Sequence, residues 1–493
     1  MENILKRFPV VAKNIFNNLD NQSLVRAKNV CRTWRFSITS QKFSWIRKIQ
    51  TVVDDEQEFT SNWQRVLVRT SVETVKELSV AVHQFYQLDE SRYNEKWSPL
   101  HITVMQDDLS LSRHVMSKMD EMDPKNSDGI TPLHFAASNG NFELFKLTFD
   151  GTTKKNPATL NGYTPMYVAA VRGFVDICKL IIDNVYDKNP AINNGSTPLF
   201  AAARTGQLDV CKLIIDSVKD KNPAINDGTT PLYVAAYNGH LEICKLIIDS
   251  VKDKNPAIND GKTPLYVAAY NGHIEICKLI IDSVKEKNPA LSNGATPLYV
   301  AAYNGHLEIC KLIIKSVKDK NPATSDGSTP LYIAASHGHL EVCKLIIDSV
   351  DGKNPAMNDG ATPLYVAAQK GHWEVCKLII DNVVDKNPPT NNGKTPLYAA
   401  AYNAHLEVCK LIIASVKDKN PATSTGATPL YVAAKNGHFD IYKLIVENIE
   451  NVVDKNPLTN EGSTPRCIAA RNGHKEIFKF LLPPEYESES TLF

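Results

Sequence analysis

A Ser/Thr-Pro pair recurs at Ser98, Thr131, Thr164, Thr197, Thr230, Thr263, Thr296, Thr329, Thr362, Thr395, Thr428 and Thr464. Every step is 33 residues except the last, which is 36. Nothing else in the 493 residues limits the fold so strongly. A fixed period of this length marks one supersecondary unit copied many times, because a single copy cannot bury its apolar face alone and its neighbours must. The glycines keep the same period: 21 of the 23 fall at two of its positions. Such a chain is a repeat array with something short attached, which counts against one large enzyme core.

The unit Gly261 to Asn293 reads GKTPLYVAAYNGHIEICKLIIDSVKEKNPALSN. Thr263 is placed to cap a helix by accepting a bond from an orphan N–H of the first turn, and Pro264 fits the first helical position, where no donor is needed. Leu265, Val267, Ala268 and Ala269 make a short first helix of small residues, with Gly272 as its left-handed stop. A second helix is expected from about Ile274 to Lys285, with Ile276, Cys277, Leu279, Ile280 and Val284 as its apolar stripe. Asn288-Pro289 ends it, since a residue before Pro avoids the helical region. Asn293-Gly294 signals a tight turn into the next copy.

The segment TPLYVAAYNGH resembles the TPLHxAAxxGH signature of ankyrin repeats, and the resemblance covers residues 98–482. It implies an all-α solenoid of about twelve helix–turn–helix units with β-turn or hairpin loops between them. There are departures. The signature His is Tyr in most units (Tyr233, Tyr266, Tyr299) and His only at His101 and His134. The Gly that usually ends the second helix is replaced, as at Val284, so that helix is expected to run on to Asn288-Pro289. Ala404 stands where the inter-helix Gly belongs, which should strain or reshape that turn. The Ser98 unit is degenerate, and the last unit has Arg466 and Lys475 where inner units are more apolar, as capping copies would.

Residues 1–50 do not follow the repeat. Ile15, Phe16 and Leu19 share one helical face, and Leu24, Ala27, Val30, Cys31 and Trp34 form a second stripe. So short a segment makes a poor core by itself and is expected to dock on a partner. It resembles an F-box, LPxEhhxxIFxxLDxxxLxxAxxVCRxW. Phe8-Pro9 stand for Leu-Pro, and Ile15, Phe16, Leu19, Asp20, Leu24, Ala27, Val30, Cys31, Arg32 and Trp34 fall in register. The Pro9-to-Ile15 spacing is one residue short, and Val10 and Val11 lack the family's acidic residue. The adaptor-binding residues that the resemblance implies are Phe8, Pro9, Ile15, Phe16, Leu19, Leu24, Val30, Cys31 and Trp34. Residues 51–97 read as a helical linker or worn capping repeat, and 483–493 as an acidic, disordered tail.

Composition narrows the function further. Net charge is +1 and no basic block stands out, so nucleic acid is not an expected partner. No run of 18 apolar residues exists to span a membrane, and the first residues turn polar too early for a secretory signal. Eight of the ten cysteines, from Cys178 to Cys409, recur at one site of the second helix. Helix axes 8–10 Å apart are too distant for disulfides or a zinc site, so these thiols are expected to be core packing in a reducing compartment, cytoplasmic or nuclear. The histidines after the inter-helix Gly come one per layer and are expected to tie down turns, not to hold metal. Carboxylates are plentiful, but none pairs with His or Cys at an unrepeated position, and no P-loop, GxSxG, HExxH or GxGxxG occurs in usable context. The chain is expected to be no enzyme and to need no cofactor.

Positions that vary within the fixed frame are the informative ones. Seven and eight residues after each capping Thr lie sites that the core does not use. In ankyrin proteins these sites, with the turn residue just before the Thr (here Tyr163, Thr229, Lys262, Lys394 and Ser463), line the concave binding groove. The expected target-binding residues are Arg172, Arg204, Tyr237, Tyr270, Tyr303, His337, Gln369, Lys370, Tyr402 and Lys435, exposed Tyr being a good interface anchor. The competing reading is that the near-identical Thr230, Thr263 and Thr296 units are recent copies with no selected partner. Together the resemblances imply a substrate receptor of an SCF-type cullin–RING ubiquitin ligase. Its F-box would bind a Skp-type adaptor and its solenoid an unidentified protein target. The host would be a eukaryotic cell, or one harbouring a virus or intracellular bacterium. The alternative is a non-degradative scaffold whose N-terminal helices only cap the stack.

Overall fold

Each capping Thr does locally what its position predicts. In the computed structural model Thr263 is extended (φ −116°, ψ 163°), and its hydroxyl accepts a bond from the Tyr266 N–H. Helix Pro264–Asn271 follows, and Gly272 stops it at φ +83°. The same start recurs in every unit from Thr164 to Thr464. The structure describes residues 98–117, 119, 121–450 and 455–480. The segments 1–50, 51–97 and 483–493 read above lie outside these residues.

Among the described residues all regular structure is helical, in 24 helices that form twelve hairpins. They fall into two compact units divided after Val251. The first holds the five hairpins that begin at Ser98, Thr131, Thr164, Thr197 and Thr230. The second holds the seven that begin at Thr263 to Thr464. Within each unit first helices pack on first helices and second helices on second helices. The all-α stack of helical hairpins that the ankyrin resemblance implies is the one found.

The second helix is shorter than the sequence suggests. It spans Ile274–Ser283 and is followed by Val284 in extended geometry (φ −118°, ψ 158°), so it does not reach Asn288-Pro289. The cause lies in the next unit. Asn288 Oδ1 accepts a bond from the Leu298 N–H at 2.9 Å, ten residues ahead. That holds Asn288 at the mouth of the next first helix, and the chain must leave the second helix early to reach it. Asn189, Asn222, Asn255, Asn321, Asn354, Asn387 and Asn420 do the same for Leu199, Leu232, Leu265, Leu331, Leu364, Leu397 and Leu430. The residue read as a terminator is therefore also a cap supplied to the following hairpin. The apolar stripe shifts correspondingly. Ile276, Cys277, Ile280 and Ile281 are buried, whereas Leu279 and Val284 are half-buried.

The turns join neighbours as well. Gly294 N–H bonds to Leu291 O at 2.8 Å, closing the tight turn expected at Asn293-Gly294. Turns then donate to the one before, as in Asn358 N–H to Asp326 O (3.0 Å) and Asn391 N–H to Asp359 O (2.9 Å). Asn358 Nδ2 adds a bond to Ser325 O, and Asn391 Nδ2 one to Asn358 O.

The two signature histidines are buried bridges. His134 Nδ1 meets the Thr131 hydroxyl at 2.9 Å, and its Nε2 meets Tyr163 O of the next turn at 3.0 Å. His101 repeats this with Ser98 and Ile130 O. Burial pushes both imidazoles down from 6.5 to about 4. At Tyr167 and Tyr299, which take the same position, the hydroxyl reaches the next turn instead, to Ser196 and Ser328. At the two ends of the array the frame is patched. Asp107 takes the glycine position of the Ser98 unit with φ +60°, a conformation that Asp tolerates better than most residues. Arg466 lies over the Phe478 ring at 4.8 Å in the last unit.

The cysteines from Cys178 to Cys409 are buried and unbridged. Burial raises each thiol to about 12. They behave as small core hydrophobes, as their spacing predicts. Cys467 stands exposed in the last unit. Ala404 carries the predicted strain, with φ +65° at a glycine position.

Three outcomes follow from these local geometries. Ala404→Gly should raise stability by about 1 kcal/mol, and Gly371→Ala should lower it by more, since φ is +79° there and a Cβ would sit 2.5 Å from His405 Nδ1; urea unfolding of both variants checks this. His134 titrates near 6.5 when unfolded and about 4 when folded, so between those values the unfolded chain holds the extra proton. Its contribution is complete above pH 6.5 and falls by roughly 1.4 kcal/mol per pH unit as pH drops toward 4. His134→Tyr should remove that part of the acid sensitivity in unfolding curves taken from pH 7 to 4.5. A thiol reagent at pH 8 should label Cys467 in the native chain, and the eight core cysteines only after unfolding, as read by peptide mass mapping.

Candidate functional site

The first helix ends at a Gly whose position brings the next His beneath it. His339 Nε2 bonds to Tyr303 O at 3.0 Å, His405 Nε2 to Gln369 O at 3.0 Å and His438 Nε2 to Tyr402 O at 3.2 Å. Within each compact unit the histidines therefore tie a hairpin to the one before it, a wider role than fastening their own turn. Asn joins them. Asn304 Nδ2 donates to Tyr270 O, Asn436 Nδ2 to Tyr402 O and Asn472 Nδ2 to Lys435 O, all at 2.8–2.9 Å. The eighth position after the capping Thr thus serves the stack at Asn304, Asn436 and Asn472, whereas Asn403 bonds to Ala399 O of its own helix. The sequence reading missed this, although the recurrence of one residue type at a supposedly variable site was a signal.

With carbonyls and Asn consumed by the frame, the seventh-position side chains are left facing solvent. Arg204 and Tyr237 are exposed in the first unit, with Arg172 one position further along its helix. Tyr270, Tyr303, Gln369, Tyr402 and Lys435 are exposed in the second, with His337 and Lys370 at the eighth position. The exposed tyrosines keep between 40% and 51% of their surface, large for rings that make no core. Tyr303 and His337 rings pack at 4.4 Å between centroids. The structure brings the second-unit residues into one row, because each sits on a helix bonded to the next.

The turn residues before the Thr divide. Tyr163 and Lys394 are exposed, Lys262 and Ser463 half-buried, and Thr229 is buried at 8%. Thr229 is thus withdrawn from any groove, as are Ser196, Ala295, Ser328 and Ala361 at the same position.

Charge is segregated between the two helix layers. No first helix contains Asp or Glu. The second helices from Phe142 onward each carry an acidic residue in the first turn. There it pairs with Lys at i+3 in places, as Glu308 with Lys311 (2.6 Å) and Glu407 with Lys410 (2.7 Å). These exposed pairs contribute little to stability. Among the described residues no group of three His, Cys, Asp or Glu is placed to hold a metal ion, and no helix is long and apolar enough to cross a membrane.

Comparison with protein-family models finds an F-box domain at residues 2–46. It finds an ankyrin repeat at 128–150, and ankyrin repeats in groups of three copies at 147–227, 218–290, 283–359, 349–423 and 415–491. No curated protein matches the chain. The F-box match contains Phe8, Pro9, Ile15, Phe16, Leu19, Leu24, Val30, Cys31 and Trp34, all outside the described residues. F-box and ankyrin domains are typically interaction modules without enzymatic activity; the first implies a Skp-type adaptor as partner, the second protein partners. With the repeat matches running over more than half its length, the chain belongs to the ankyrin-repeat family and is an F-box/ankyrin protein.

Proposed function

We propose that this chain is the substrate receptor of an SCF-type cullin–RING ubiquitin ligase. Residues 1–50 dock the Skp-type adaptor through the apolar stripes that contain Leu19, Leu24, Val30 and Trp34. Residues 51–97 connect that segment to the repeats, and the first-helix face holds a protein target. The observation that carries this reading is the pairing of an F-box match with repeats whose exposed row is free of core duties. The bond-making chemistry belongs to the assembled ligase. This chain contributes proximity, which raises the effective concentration of the target's lysines at the ubiquitin-carrying partner. Such a receptor works in the cytoplasm or nucleus of a eukaryotic cell, or of a cell colonised by the source of the chain.

The test is capture of purified Skp-type adaptor by the full-length chain. Wild type should retain the adaptor, and Leu19→Asp or Trp34→Ala should reduce retention by roughly tenfold or more, as loss of an interface anchor does. Failure of wild type to retain it, with the repeats folded by circular dichroism, leaves a scaffold and removes the ligase role.

A further inference from the structure

The exposed first-helix row of the second unit differs in chemistry from every other face of that unit. It presents Tyr270, Tyr303 and Tyr402 together with Lys370, Lys435 and Arg471, all exposed, and no first helix adds a carboxylate. The second helices carry Glu or Asp beside their Lys, and four of the six have one more acid than Lys. Four carboxylates stand at the turn tips, Asp260, Asp326, Asp359 and Glu461, and the first three are engaged within their own turns. Asp260 pairs with Lys262 at 2.7 Å. Asp326 accepts from Thr324 and from the Ser328 N–H, and Asp359 from the Ala361 N–H. The backbone carbonyls of Tyr270, Tyr303, Tyr402 and Lys435 are taken by the His and Asn bonds described above. What remains for a partner is side chains: chiefly phenol rings and cations, with Gln369 and His337 among them.

We propose that this row binds an extended acidic polypeptide segment in which carboxylates alternate with apolar side chains. The carboxylates meet Lys370, Lys435 and Arg471, and the apolar side chains lie against the tyrosine rings. This rests on the receptor reading and gives its target a chemical class. Neighbouring helices at roughly 9–10 Å set the row at about 55 Å across seven repeats. An extended chain rises about 3.3 Å per residue, so roughly 17 residues cover it. An unfolded acidic segment fits better than a globular surface because the recognition positions come one per repeat in single file. Charge of one sign along the row also speeds the encounter and makes it sensitive to salt.

The probe is a fluorescent 18-residue peptide, (Glu-Ser-Val) repeated six times, with (Lys-Ser-Val) repeated six times as the control. Anisotropy is read with the full-length chain at about 50 mM salt, where screening is weak. The acidic probe should bind and the basic one should not. K370E/K435E/R471E should weaken binding by about tenfold or more. K278E/K344E/K377E makes the same charge change on exposed second-helix lysines and should leave binding within about twofold. Both sets are exposed, and matching thermal melts show that folding is preserved. Equal losses in the two triple variants, equal binding of both probes, or no binding of the acidic probe would overturn the proposal. Adaptor capture on the same samples separates the two readings. Its failure in wild type removes the ligase role and leaves the peptide result standing, while loss of peptide binding with adaptor retained removes only this assignment.

Discussion

The constraint on which the rest depends is that no hairpin of this protein is finished without its neighbour. Ile276, Cys277, Ile280 and Ile281 are buried in the stack, and a lone pair of eight- and ten-residue helices would be marginal in water. The polar groups follow the same logic. Asn288 caps a helix of the next unit, and His306 clips a carbonyl of the previous one. Both bonds link consecutive hairpins, so stability accumulates by nearest-neighbour terms. One consequence is that a local fault such as Ala404 is tolerated, because the adjoining interfaces hold its turn in place.

That division of labour explains how a nearly invariant frame can still carry specific recognition. Thr, Pro, Leu, Ala, Cys, Ile, His and the turn Asn are committed to capping, packing or tying units together. A change at any of them leaves a buried donor, a cavity or a strained turn. Side chains seven residues past the capping Thr touch none of these interactions, so they can vary from Arg204 to Tyr303 to Lys435 at little expense in stability. Charge separation between first and second helices arises from the same freedom. The second helices carry exposed charges of both signs, whereas the first helices carry no carboxylate.

The fold was highly legible in the sequence. Thr263, Pro264 and Gly272 are local signals, and their geometry is set by φ/ψ preference and by the orphan N–H groups of one helix turn. The apolar spacing at Ile276, Cys277 and Ile280 located the core face for the same reason. Legibility failed where a residue answers to a partner 10 or more positions away. Asn288 read as a stop because its local effect is to precede Pro, yet its side chain serves Leu298. Asn304 and Asn436 read as free because nothing adjacent in sequence uses them, although their amides hold carbonyls 34 residues back. Thr229 read as a groove residue by analogy, and in the stacked hairpins it is buried.

The sequence by itself determined the number of hairpins, their caps, the core stripe, and the pairing of an F-box with ankyrin repeats. Each of these depends on periodicity or on contacts within a few residues. Only the tertiary structure decided where the second helix ends, which side chains tie repeats together, and which are thereby left exposed. Those outcomes depend on distances between copies, and a linear pattern carries no distance between copies until the hairpins are stacked.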